Sequence, residues 1–110
     1  MALDDATETN GCLHFAPGSH RAVLATGTPY SLPDNTISQA LGGLFAHPAL
    51  TGLEPRPQPA RAGDVILHNG LGAHGAGANM TRGRRRAMTI ALMPEGHNIF
   101  NGKKNVLNDR

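Results

Sequence analysis

One cysteine, no tryptophan, one tyrosine and three phenylalanines are spread over 110 residues. A lone Cys12 excludes an internal disulfide and a cysteine-cluster metal site, and its apolar neighbours predict a buried, inert thiol. The shortage of aromatic rings leaves little on which bases would stack, and a net charge of +2 is too small to imply a nucleic-acid partner. No apolar run is long enough to span a bilayer. Met1 to Asn10 is acidic rather than basic then apolar, so no secretory signal is legible and a cytoplasmic, reducing compartment is the expectation. Asn79-Met80-Thr81 matches a glycosylation acceptor; without such a signal it reads as a chance match.

What the chain does have is glycine and proline, fourteen and eight of them. They favour turns and short strands over long helices. The hydrophobic fraction of 39% suits a globular protein rather than a disordered one. The length argues for one domain over residues 1–110 with a modest core.

Along the chain, Ala2-Leu3-Asp4-Asp5 reads like the end of a strand with no earlier strand to pair with. Asn10-Gly11 is a hairpin-turn signal. Cys12 to Ala16 reads as a strand, with Leu13 and Phe15 on one face, and Pro17-Gly18-Ser19-His20 ends it. Residues 21–60 form a long variable stretch, in which six prolines exclude one regular element; Ile37 to Phe45 is a candidate short helix, weakened by Gly42-Gly43. Ala62-Gly63-Asp64 is a turn, and Val65 to His68 reads as a strand. Arg85 to Met93 is the clearest strand, and 94–110 is an irregular tail. Short strands with Gly/Pro turns make the fold class mainly all-β, a small barrel or jelly roll.

The last strand predicts most about chemistry. Arg86, Met88, Ile90 and Leu92 make a bulky face, expected to pack into a core. Arg85, Ala87, Thr89 and Ala91 make a small-residue face. Small residues inside a barrel leave room for a ligand, and an arginine at its mouth is a planar fork suited to a carboxylate. The plainer reading makes Arg85 part of a solvated run, Arg82-Gly83-Arg84-Arg85-Arg86. His74 lies in a glycine-rich turn, where imidazole is a competent metal ligand; a lone histidine is more often structural. His68 reads as a strand-end residue or as a second polar group near the same site. Gly70-Leu71-Gly72-Ala73-His74-Gly75 fits a dinucleotide fingerprint, but a further turn follows it where that fingerprint needs a helix, which excludes the assignment.

Three blocks together are more specific than any one. They are Asp4-Asp5 with Glu8-Thr9-Asn10-Gly11-Cys12-Leu13 and Pro17-Gly18-Ser19-His20; then Arg61-Ala62-Gly63-Asp64-Val65-Ile66-Leu67-His68; then His74-Gly75-Ala76-Gly77-Ala78-Asn79-Met80-Thr81 with Arg85-Arg86-Ala87. In this order they resemble the C-terminal portion of the phytanoyl-CoA dioxygenase family, non-haem oxygenases dependent on Fe(II) and 2-oxoglutarate. The resemblance implies a double-stranded β-helix (jelly roll, cupin-like) that lacks its first strands here. It implies that His74 is the distal histidine of a two-histidine-one-carboxylate triad. It also implies that Arg85, eleven residues on, pairs with the C5 carboxylate of 2-oxoglutarate. Thr89 is a further candidate on the cavity face.

The sequence departs from the family chiefly at its metal motif. The family's H-x-D motif lies upstream of the Asp-Asp block, and none of His14, His20, His47, His68, His74 or His97 has a carboxylate two residues on. Fe(II) binding by this chain is therefore expected to be weak or absent. Ala76 stands where some relatives carry a small hydroxyl residue. Two readings follow. In one, the chain is part of a dioxygenase that hydroxylates a small or lipid-like substrate, with succinate and CO2 as coproducts. In the other it is a non-catalytic truncated barrel, acting as a binding or oligomerisation module. A cupin-like metal protein is a weaker third, because the cupin H-x-H arrangement is absent. An unpaired sheet edge is expected, and with it a homodimer. Neither a nucleic-acid nor a membrane partner is expected.

Overall fold

A computed structural model of the chain describes residues 1–26 and 48–92. The candidate helix at 37–45, Met93 and the tail from residue 94 lie outside them.

The described residues are mainly β, with one short helix. Strand β1 (Leu13–Phe15) runs between two antiparallel neighbours, β2 (Arg56–Gln58) and β3 (His74–Ala76). The register sets Leu13 opposite Gln58 and Ala76, and Phe15 opposite Arg56 and His74. The same pairing continues towards the N-terminus. Ala6 exchanges both backbone hydrogen bonds with Ala60, at 2.7 and 3.0 Å. Ala2 donates to Asp64 O and accepts from Gly63 N–H, while Leu3 donates to Arg86 O and Met88 donates to Met1 O. Residues 1–15 are thus a middle ribbon, flanked by 56–64 on one side and 74–88 on the other. The opening residues, expected to lack a partner, find theirs in segments that come later in the chain.

The ribbon is broken once, at the turn predicted from Asn10-Gly11. Thr7 N–H donates to Asn10 Oδ1 at 2.7 Å, and Asn10 Nδ2 donates to Asp5 O at 2.8 Å. Cys12 N–H reaches back to Thr7 O at 2.8 Å. Gly11 sits at φ 90°, and a Cβ there would strike the Gly77 carbonyl. Glycine is required on both counts. This turn does not make a hairpin, because 1–6 and 12–15 pair with the flanking segments instead of with each other.

The adjacent aspartates are clasps. Asp4 accepts from Arg86 three times: from its backbone N–H at 2.8 Å, from Nε at 2.9 Å and from Nη2 at 2.8 Å. Asp5 Oδ1 accepts the Ala62 N–H at 2.8 Å on the opposite flank. Successive residues of an extended chain point opposite ways, so one Asp-Asp step ties the middle ribbon to both neighbours. The turn at Ala62-Gly63-Asp64 forms as predicted: Asp64 N–H donates to Arg61 O, Asp64 Oδ2 accepts Arg61 N–H, and Gly63 takes φ 95°.

Pro55, Pro57 and Pro59 explain why β2 is an outer strand. Backbone donors alternate sides along a strand. The Ala60 N–H points inward to Ala6, so Arg56 and Gln58 also face inward, and the three prolines occupy the outward positions. That edge has no N–H to offer a further strand.

Two sequence expectations are corrected. Val65 to His68 and Arg85 to Met93 were expected as strands, but among the described residues only Ala87 of these forms a bridge, to Ala2. An alternating pattern does not by itself supply a partner strand. The bulky face of the second was expected in a core; instead Met88, Ile90 and Leu92 are 42, 69 and 86% exposed, because no described element lies over them. Val65 and Leu67 are exposed too. The packed cluster is small: Ala16, Leu50 and Ala73, with Leu53 against it. Cys12 is fully buried, as expected.

Candidate functional site

The surroundings of His74 are built by the loop before it, the turn after it and groups brought in from residues 15–19. Asn69 Oδ1 accepts the N–H groups of Leu71 and Gly72, each at 3.0 Å, which folds the glycine-rich loop back on itself. The next residue, Ala73, is buried and held at both ends. Its N–H donates to Ser19 Oγ at 2.8 Å, and its carbonyl accepts from Ala16 N–H at 3.0 Å. Ser19 is the first residue of helix α1 (Ser19–Thr26) and is 1% exposed. Pro17 and Gly18, the latter at φ 85°, turn the chain from β1 into that helix. Beyond β3, Asn79 Oδ1 accepts from Thr81 N–H and Oγ1, while Asn79 Nδ2 donates to Gly83 O. The Asn-Met-Thr triplet is therefore a turn device.

His74 itself is half-buried at the start of β3. Its Nδ1 lies 2.9 Å from Gly72 O. A carbonyl only accepts, so Nδ1 carries the proton and the lone pair is on Nε2. Metal-binding histidines are usually prepared in this way. Two rings pack against the imidazole. Phe15, its register partner on β1, stacks on it with centroids 5.5 Å apart and planes 23° apart. His68 lies closer, with centroids 4.2 Å apart at a 55° tilt, and is itself edge-on to Phe15 at 5.2 Å.

The other candidates are placed as follows. Arg85 is half-buried, whereas Arg82, Arg84 and Arg86 in the same run are exposed. Arg86 is committed to Asp4, so the basic run is divided by alternation, as a strand-like backbone requires. Thr89 is exposed on the segment beyond the Ala2–Ala87 bridge. Sequence reasoning missed two participants: Ser19, seen only as part of a strand-ending block, and Phe15, seen only as a strand residue. His68, read as a strand end or as a second polar group near the same site, does lie against His74. Only the alternation of β1 hinted that Phe15 would face the site; the Ser19 contact joins residues 54 apart in the chain, whereas His68 lies six residues before His74.

A two-histidine-one-carboxylate centre needs three protein ligands. Among the described residues no group of three or more His, Cys, Asp or Glu side chains is placed to hold a metal ion. The residues present fit one corner of such a centre, His74 Nε2, and not the whole of it. No helix of the described residues is long and apolar enough to cross a membrane.

Comparison with known proteins agrees with these blocks. The family model of phytanoyl-CoA dioxygenase (PhyH) matches residues 1–87. A phytanoyl-CoA dioxygenase domain-containing protein 1 homolog of Caenorhabditis elegans is 32% identical over 94 residues, covering 84% of this chain and 33% of that protein. Phytanoyl-CoA dioxygenase 1 of Oryza sativa subsp. japonica is 32% identical over 95 residues, 84% of this chain and 31% of its own length. Dioxygenase lolE1 of Epichloe uncinata is 33% identical over 88 residues, 80% of this chain and 29% of its own. No solved structure matches the chain with significance. The chain belongs to the phytanoyl-CoA dioxygenase family, and it spans about a third of the length of the curated relatives it matches.

Proposed function

We propose that this chain supplies the distal histidine and the cosubstrate arginine of an Fe(II)- and 2-oxoglutarate-dependent dioxygenase. The observation that carries the reading is His74: half-buried, its Nδ1 proton donated to Gly72 O, its Nε2 left to bind metal. Fe(II) would contribute oxygen activation when bound. The protein's own part would be to hold one ligand rigidly at His74 and to receive the C5 carboxylate of 2-oxoglutarate on Arg85, with Thr89 further along the same face. A small or lipid-like substrate would be hydroxylated, with succinate and CO2 released. The remaining ligands, an H-x-D pair, would come from sequence outside these 110 residues. The fold that fits is a partial double-stranded β-helix. The three-ribbon arrangement of 1–15, 56–64 and 74–88 supports it, and the matches to one third of longer relatives are consistent with it.

The test is Arg85→Ala and His74→Ala in a family-length protein carrying this segment. Succinate release should fall by at least about 100-fold in each, the scale of losing one transition-state-stabilising group. Unchanged 2-oxoglutarate use after Arg85→Ala would remove Arg85 from the reading.

A second reading is favoured by the bare row of Met88, Ile90 and Leu92. In it the chain is a non-catalytic module that binds a partner or a second copy of itself. The Arg85→Ala and His74→Ala variants of the family-length protein separate the two: lost succinate release supports the first reading, and unchanged release in both supports the second.

A further inference from the structure

We propose that the gap beyond Met1, between residues 65–68 and 88–92, is an acceptor slot for one extended peptide segment that runs in line with the middle ribbon. The slot is defined by the backbone ladder alone and does not depend on the metal reading of His74.

The ladder is intact up to Met1. Met1 donates its amino group to Met88 O at 2.8 Å and accepts the Met88 N–H at 2.9 Å, and Ala2 bridges Ala87. On the other flank Ala2 donates to Asp64 O and accepts from Gly63 N–H, each at 2.9 Å, with Gly63 at φ 95°. That is a glycine bulge, after which an antiparallel register resumes. Ala2 and Ala6 thus bond to one flank, and Met1 and Leu3 to the other, as an extended strand between two neighbours must. Both flanking segments run on past Met1. Among the described residues, no backbone hydrogen bond reaches residues 65–67 or 89–92.

Continuing the same alternation sets what the slot asks of its occupant. The first and third positions before Met1 fall to Ile66 and His68, and the second and fourth to Ile90 and Leu92. Side chains follow, because residues directly opposite each other share a face. The second position lies between Leu67 and Ile90, and the fourth lies beside Leu92, in the exposed apolar row that Val65, Met1 and Met88 begin. The occupant is therefore a strand with apolar residues at its second and fourth positions before Met1. The two unpaired segments, 65–68 and 89–92, are walls of the same one-strand gap. A second copy does not fit this description. An edge strand brought in sideways pairs with one wall, and the proline-closed β2 edge pairs with neither. A segment continuous with Met1 arrives at high effective concentration and meets both.

The experiment adds four residues ahead of Met1 in the 110-residue chain and reads amide hydrogen exchange. Val-Thr-Val-Thr puts valine at the fourth and second positions. The amides of Ile66, His68, Ile90 and Leu92 should slow by about 10-fold, the scale of one backbone hydrogen bond gained. Those of Leu67 and Ala91, which face away from the slot, should not change. Apolar collapse would not give this every-second-residue pattern on two walls. Thr-Val-Thr-Val moves the valines to the opposite face and should protect less. Proline at the second position removes the N–H that Ile90 O would accept, and should cut the protection on that wall. In the extended chain, protection of one wall only, or equal protection with the proline, overturns the proposal. So does protection of both walls in the unextended chain that rises with its concentration, because a second copy would then be the occupant. A family-length protein carrying this segment decides where the extended chain does not fold. The same four amides should exchange slowly there without any addition, and fast exchange at them overturns the proposal.

Discussion

Ser19 Oγ accepts the backbone N–H of Ala73 at 2.8 Å, across 54 residues of sequence and with both groups buried. That bond ties the head of α1 to the residue immediately before His74. It gives the Pro17-Gly18-Ser19-His20 block a physical role: the proline and glycine turn the chain so that a hydroxyl arrives beside the candidate ligand strand. Ser19→Ala leaves the Ala73 N–H buried without that acceptor, which costs about 1–3 kcal/mol. Denaturant unfolding should show the loss, and Ser19→Thr should restore part of it if the added methyl is accommodated.

Gly11 is predicted to be the least replaceable glycine among the described residues. Its φ of 90° is already strained for any L side chain, and its Cβ position is occupied by the Gly77 carbonyl in the ribbon just beyond His74. Gly18, Gly52 and Gly63 also have positive φ, but a Cβ at each would meet open space. Gly11→Ala should therefore destabilise by more than the roughly 1 kcal/mol expected from backbone strain alone. Gly52→Ala should cost no more than that. Parallel urea titrations of the two variants check the ordering.

The Asp4–Arg86 clasp makes stability depend on pH. The side-chain hydrogen bonds from Arg86, with its backbone N–H and charge behind them, hold the Asp4 carboxyl at about 2, below its ordinary 3.8. A carboxylate depressed in the folded state binds fewer protons there than in the unfolded chain. Its stabilisation is present above 3.8 and is lost as pH falls towards about 2. Asp4→Asn should flatten the stability profile in that acid window and leave its shape near neutrality unchanged. Arg86 is exposed, at 63%, and Asp4 is half-buried, so added salt should shrink the effect in part.

How much of this was legible varies with the physics involved. Local signals held: the β1 strand, the turn at Gly63, the stop at Pro17-Gly18 and the turn at Asn10-Gly11 all depend on residues a few positions apart. Non-local pairing was not legible. Alternation in Val65–His68 and Arg85–Met93 did not predict burial: among the described residues there only Ile66 and Arg85 are half-buried, Ala87 and Thr89 are exposed like Met88 and Ile90, and the pattern says nothing about whether a partner strand is at hand. Proline concealed β2, because a proline count argues against a strand unless one asks which edge the missing donors face. Helix α1 was hidden in a stretch dominated by proline and glycine, although Ala22, Leu24 and Ala25 are good helix formers. Of the site, His74 and Arg85 were nominated by pattern and resemblance; the contact of His68 with His74 required the fold.

The prolines also direct where this chain meets another. The β2 edge is closed by Pro55, Pro57 and Pro59, whereas among the described residues β3 is paired with β1 alone and the row Met88, Ile90, Leu92 is uncovered on the same flank. Burying one such side chain is worth about 1.5–3 kcal/mol. Three of them approach the whole stability of a small domain, roughly 5–15 kcal/mol. The isolated chain should therefore self-associate with rising concentration, and it should do so through the β3 flank. Ile90→Lys with Leu92→Lys should shift sedimentation towards monomer. Pro57→Val puts an N–H back on the opposite edge and should create a second route to association. If Pro57→Val leaves association unchanged while the lysine pair abolishes it, the open flank is the sole contact. If the lysine pair has no effect, the contact lies elsewhere and the β3 flank is not the interface.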